Sequence, residues 1–114
     1  MITVDQLQTF GANTKEGLGR CFGNEALYLR LIGKMVESKE FEQLKDALES
    51  KDYEKAFSAA HGLKGALGNL SLTPLYEPVL KMTDLLRART EMDYSGMLSD
   101  ILEKREELRA LCED

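Results

Sequence analysis

The chain has 114 residues, 43% of them apolar, and a formal net charge of −5 at pH 7. That length gives one domain, residues 1–114, with room for a single core. The acidic balance argues against binding to nucleic acids and anionic membranes, which need basic surfaces, and no window approaches the ~20 apolar residues of a membrane span.

Thr3 and Gln6 have the spacing of a capping box and open a short helix with Val4, Leu7 and Phe10 on one face, ending near Gly11. MITVDQLQTF has neither a basic region nor a long apolar run, so it does not read as a secretory leader, and a cytoplasmic location is expected. Residues 11–23 hold four of the nine glycines and read as a loop with a single turn around Lys15 to Leu18. Asn24 is placed to cap the next helix. Its stripe is Tyr28, Ile32 and Met35, continued by Phe41, Leu44 and Leu48 after a phase slip near residues 37–40, which predicts one long helix to about Glu49, bent or rewound at the slip. Asp52 caps the following helix, with Glu54 in its first turn. Thr73 followed by Pro74 predicts a cap and a proline at the first helical position. That helix carries Leu75, Val79, Met82 and Leu86 on one stripe, and Pro78 should kink its first turns. The last helix is expected from about Asp93 to Leu111, with Tyr94, Met97, Ile101 and Leu108 inward. The fold class expected is all-α: an antiparallel four-helix bundle with a short N-terminal capping helix. Cys21 and Cys112 lack metal-ligand spacing and are expected as two reduced thiols, a disulfide between them being the alternative.

The segment HGLKGALGNL, residues 61–70, is the most informative. Ala56, Ala60, Leu63, Leu67 and Leu70 repeat with 4-3-4-3 spacing and mark a core face. His61, the sole histidine, lies roughly 130° from that stripe on the helical wheel. Lys64 falls roughly 60° to one side of it, Gly65 roughly 40° to the other, and Gly68 roughly 20° away, two turns on. An interior glycine weakens a helix by about 0.8–1 kcal/mol relative to alanine, so two beside one histidine need a reason. Steric access to the imidazole is one; close helix packing is the alternative.

His61, Leu63, Lys64, Gly65 and Ala66, followed by Leu70, resemble the signature of the histidine-containing phosphotransfer (HPt) domains of multistep two-component phosphorelays. The likeness extends to GNEALYLRLIGKMVES and to DALESKDYEKAFSAAHGLKG. Two positions depart from the pattern: Leu67 stands where a small residue is common, and Ser71 where a glycine is common. The resemblance implies that His61 accepts a phosphoryl group from a receiver-domain aspartate and passes it to another receiver, and that the chain is a carrier without independent turnover. It implies partners among response-regulator receivers or a hybrid sensor kinase, and no cofactor of its own, the Mg²⁺ lying on the receiver.

The residues themselves support that chemistry. Neutral imidazole is nucleophilic near its reference pKa of about 6.5, and Lys64 one turn away can stabilise the added negative charge. No Gly-rich nucleotide loop and no clustered Asp ligands for Mg²⁺ occur, so the remaining catalytic parts must come from a partner. Val4, Leu7, Phe10 and Phe57 are the expected apolar docking rim, the alternative being that they cover the end of the bundle. A monomer is expected. The competing function is a non-phosphorylated helical interaction or adaptor module. A metalloprotein bundle lacks ligands, since Ser58 stands three residues before His61, and a helix-turn-helix DNA binder does not fit the charge.

Overall fold

The computed structural model describes residues 2–113. Its regular elements are seven helices: α1 (Val4–Phe10), α2 (Thr14–Arg20), α3 (Glu25–Val36), α4 (Glu40–Glu49), α5 (Tyr53–Asn69), α6 (Thr73–Arg87) and α7 (Ser95–Cys112). No strand occurs among the described residues. α4 packs on α5, α5 on α6, α6 on α7, and α7 on α3, while α1 packs on α2 and α2 on α3. The stripes read from the sequence turn inward: Tyr28, Ile32, Phe41, Leu44, Leu63, Leu67, Leu75, Val79, Met82, Ile101 and Leu108 are fully buried. Leu48 and Met97 are only half-buried. Cys21 and Cys112 are free thiols, and burial raises the pKa of Cys112.

The predicted caps form. Thr3 Oγ1 accepts from the Gln6 amide at 3.1 Å while Gln6 Oε1 accepts from the Thr3 amide at 2.9 Å. Asn24 accepts from Leu27 at 3.0 Å and Asp52 from Lys55 at 3.2 Å. Each of these side chains satisfies an amide that has no partner inside its helix.

Three expectations change. Residues 14–20 form the helix α2 rather than a loop, with Asn13 Oδ1 accepting from the Glu16 amide at 3.2 Å. Its glycine density reflects close packing: a Cβ at Gly17 would come 2.5 Å from the Tyr28 ring. Tyr28 in turn donates to the Leu70 carbonyl at 2.8 Å, and burial pushes its phenol up to about 12. Second, the long helix predicted to Glu49 is two helices, α3 and α4, separated at residues 37–39. Third, Leu72 is the cap of α6 and Thr73 its first residue, so the helix starts one residue earlier than the sequence suggests, and it runs through Pro78 to Arg87.

The helix ends explain the first two. α1, α2, α4, α5 and α6 each close with a residue in the left-handed region: Gly11, Phe22, Lys51, Ser71 and Arg89. In each the next amide reaches back five residues, as Leu72 does to the Leu67 carbonyl at 3.0 Å and Gly23 to the Leu18 carbonyl at 2.7 Å, the paired-bond ending that reverses a chain after a helix. α3 has no such residue. Arg105 of α7 reaches its end instead: Nε donates to the Val36 carbonyl at 2.7 Å, and the guanidinium lies 4.7 Å from the Phe41 ring centroid. The chain is therefore interrupted there without the left-handed ending of those five helices.

Candidate functional site

The stripe residues of α5, Ala56, Ala60, Leu63 and Leu67, and Leu70 at its C-cap are all buried. That fixes the rotation of the helix and leaves His61 exposed on the opposite side. Lys64, one turn later, is half-buried and forms no ion pair among the described residues. Residues three apart on a helix are surface neighbours, about 5–6 Å between Cβ atoms, so an anion on the imidazole lies within reach of the Lys64 ammonium.

The three glycines of the segment differ. A Cβ at Gly65 would meet nothing within 4 Å, so the surface beside His61 is open. At Gly68 a Cβ would sit 3.0 Å from Tyr76 Cε1, so α6 packs closely there. Gly62 faces the Glu40 carboxylate and lets α4 approach α5. The packing alternative therefore fits Gly68 and does not fit Gly65, where a side chain would have room.

Lys64, Gly65 and Gly68 form one wall of an open groove of about 590 Å³, with Arg20 of α2 and Tyr76 and Leu80 of α6 on the others. Arg20 donates to the Gly68 carbonyl and pairs with Glu16 at 3.3 Å. Glu16 accepts from the Ser71 hydroxyl at 2.8 Å, and the Ser71 carbonyl accepts from the Asn13 amide at 3.0 Å. These bonds hold Ser71 at φ 55°, the left-handed conformation in which glycine is at ease and other residues lose about 1–2 kcal/mol. The departure from glycine at this position is thereby accommodated by α2. Leu67, the other departure, is wholly buried in the core.

The four apolar residues expected at a docking rim are placed differently. Leu7 is 0% exposed and belongs to the core, so it offers no surface. Phe10 is half-buried and lines a groove between α1 and α7 with Lys104 and Leu111, and Val4 is half-buried on the same short helix. Only Phe57 touches the imidazole: the rings are tilted by 14° with centroids 5.7 Å apart. Arg20, Tyr76, Leu80 and Arg87, whose guanidinium carbon lies 5.6 Å from the Phe57 ring centroid, were not legible as neighbours of the site. Arg20 lies in the segment that reads as a loop, and the other three sit on α6, where no local pattern reports which face meets α5. No group of three or more His, Cys, Asp or Glu side chains among the described residues is placed to hold a metal ion.

A family model, the Hpt domain, matches residues 38–114, which include α4 to α7 and the whole of the histidine helix. The chain belongs to the Hpt domain family, the phosphotransfer modules of two-component signalling. No curated protein and no solved structure matches it. No helix among the described residues is long and apolar enough to cross a membrane.

Proposed function

We propose that His61 is the phosphoacceptor of a phosphorelay carrier, which takes a phosphoryl group from the aspartate of one receiver domain and passes it to another. The observation that carries this reading is the exposed imidazole with open space at Gly65 and, on the same helix face, a Lys64 ammonium without an ion pair among the described residues. In the transfer, the lone pair of one imidazole nitrogen forms a P–N bond as the P–O bond to aspartate breaks, and that electron pair leaves on the carboxylate. The other ring nitrogen keeps its proton, so no base is required. Phosphoryl transfer depends on positioning and electrostatic stabilisation, and Lys64 supplies the latter through a charge-assisted hydrogen bond to the phosphoryl oxygens.

The receiver supplies the aspartate and the acidic Mg²⁺ site. The groove beside Lys64 receives part of that partner. In this reading the protein is a cytoplasmic monomer with no turnover of its own, and α3 with α4 forms one leg of an antiparallel four-helix bundle whose other legs are α5, α6 and α7. The test is incubation with phosphorylated receivers. The wild type should take a label that acid removes and alkali does not, as expected of a phosphoramidate, and a folded His61→Gln variant should take none. Labelling of His61→Gln at the wild-type level overturns the reading; a wild type that binds receivers without taking label is an adaptor.

A further inference from the structure

We infer that Phe57 is a positioning residue for the transfer step, its ring fixing the plane of the His61 imidazole; this rests on His61 being the phosphoacceptor. Phe57 precedes His61 by one turn of α5, and their near-parallel rings, 14° apart with centroids at 5.7 Å, form an offset stack. Phe57 is held from the neighbouring helix. The Arg87 guanidinium carbon lies 5.6 Å from its ring centroid, within cation–π range, and Arg87 Nη1 is itself tied to Asp84 Oδ1 at 3.2 Å. A chain of contacts thus runs from the last turn of α6 through Phe57 to the imidazole.

The chemistry makes this arrangement matter. The attacking lone pair lies in the plane of the imidazole, directed outward from the nitrogen. Rotation of the ring about its side-chain bonds moves that lone pair off the line of the breaking P–O bond. An exposed histidine with no neighbour samples several rotamers, and only some of them aim a nitrogen at a docked phosphoryl group. Holding reacting atoms in a near-attack geometry supplies much of the rate in such transfers. Phe57 is engaged by the imidazole and the guanidinium, so it acts on the nucleophile rather than standing free as an anchor for the partner.

The test compares Phe57→Leu and Phe57→Tyr with two phosphodonors: a phosphorylated receiver that labels the wild type, and the small molecule phosphoramidate. A docked receiver fixes the direction of attack, whereas a freely tumbling donor adapts to any ring orientation. Phe57→Leu, which keeps an apolar side chain without the flat face, should lose about tenfold in rate from the receiver and less than about twofold from phosphoramidate. Phe57→Tyr keeps the face and should match the wild type with both. The His61 ring-proton resonances should shift in Phe57→Leu and stay in place in Phe57→Tyr, because they lie in the ring current of Phe57. The inference is overturned if Phe57→Leu accepts from the receiver at the wild-type rate, or loses equally with both donors. A wild type labelled by phosphoramidate but by no receiver defeats the relay reading, and unchanged His61 resonances in Phe57→Leu then defeat the stack as well.

Discussion

Arg105 is 9% exposed and is engaged on two sides: Nε donates to the Val36 carbonyl at 2.7 Å and Nη1 meets Glu42 at 3.5 Å, with the guanidinium over the Phe41 ring. Lys64 is half-buried and has no ion pair among the described residues. One cation is committed to the fold, and the other remains available to a ligand. The side-chain chemistry suits each role. A guanidinium is planar and always charged, with donors in a fixed fork, so it can satisfy a carbonyl and lie on an aromatic face permanently. An ammonium on a flexible stem can follow a phosphoryl group that arrives and leaves. A positive charge near a histidine is therefore informative when it lacks a partner, and one engaged by a carbonyl, a carboxylate and an aromatic ring explains architecture.

The comparison predicts a sharp division of phenotypes. Arg105→Met should destabilise the bundle by about 2–3 kcal/mol, because it removes a charged hydrogen bond and strands the carbonyl at the end of α3. Denaturant unfolding measures this directly. Phosphotransfer per folded molecule should be unchanged. If Arg105→Met unfolds at the wild-type midpoint, Arg105 does not hold the joint between α3 and α4, and the contrast with Lys64 is lost.

Lys64→Ala should show the reverse. Its stability should stay within about 0.5 kcal/mol of the wild type, as for a surface position without special contacts. The equilibrium between phosphorylated receiver and phosphorylated His61 should move toward the receiver by roughly 1–2 kcal/mol, the value of a partly solvated charge-assisted bond. Quantifying label on both proteins at equilibrium measures that shift. An unchanged equilibrium removes Lys64 from the site.

The sequence carried the histidine face further than it carried the joint. Caps at Thr3, Asn24 and Asp52 are local, and their hydrogen bonds span three residues, so the pattern alone identifies them. The stripe from Ala56 to Leu70 fixes the rotation of α5 for the same reason: one helix's periodicity decides which side faces the core. α2 was missed because Gly17 reads as a helix breaker, while its cause is the Tyr28 ring eleven residues later. The break between α3 and α4 shows in sequence only as a phase slip, since the group that caps the end of α3 belongs to residue 105. The Arg87–Phe57–His61 stack has the same character: its local half is a spacing of four, and its other half comes from another helix. Pro74 marks the start of α6, but the capping position falls at Leu72, which makes no side-chain cap bond and so leaves no signal.

The smallest effects separate the two glycines, and they test whether open and closed surfaces lie side by side on one helix. Replacing an interior glycine by alanine adds about 1 kcal/mol of helix propensity in either case. At Gly65 the new methyl meets nothing within 4 Å, so Gly65→Ala should raise stability by about that amount. It should also slow transfer from a receiver, because the methyl stands beside the imidazole where the partner docks. At Gly68 the methyl would lie 3.0 Å from Tyr76 Cε1, closer than comfortable contact. Overpacking of that kind costs about 1–3 kcal/mol when the neighbour cannot move, and the half-buried Tyr76 can yield in part. Gly68→Ala should therefore be neutral or up to about 1 kcal/mol less stable. The double variant Gly68→Ala with Tyr76→Leu isolates the clash: against Tyr76→Leu alone, the alanine should recover about 1 kcal/mol of stability, a coupling that a double-mutant cycle reads directly. If Gly68→Ala stabilises as much as Gly65→Ala and shows no coupling to Tyr76, the packing role of Gly68 fails and both glycines belong to the open face of the histidine.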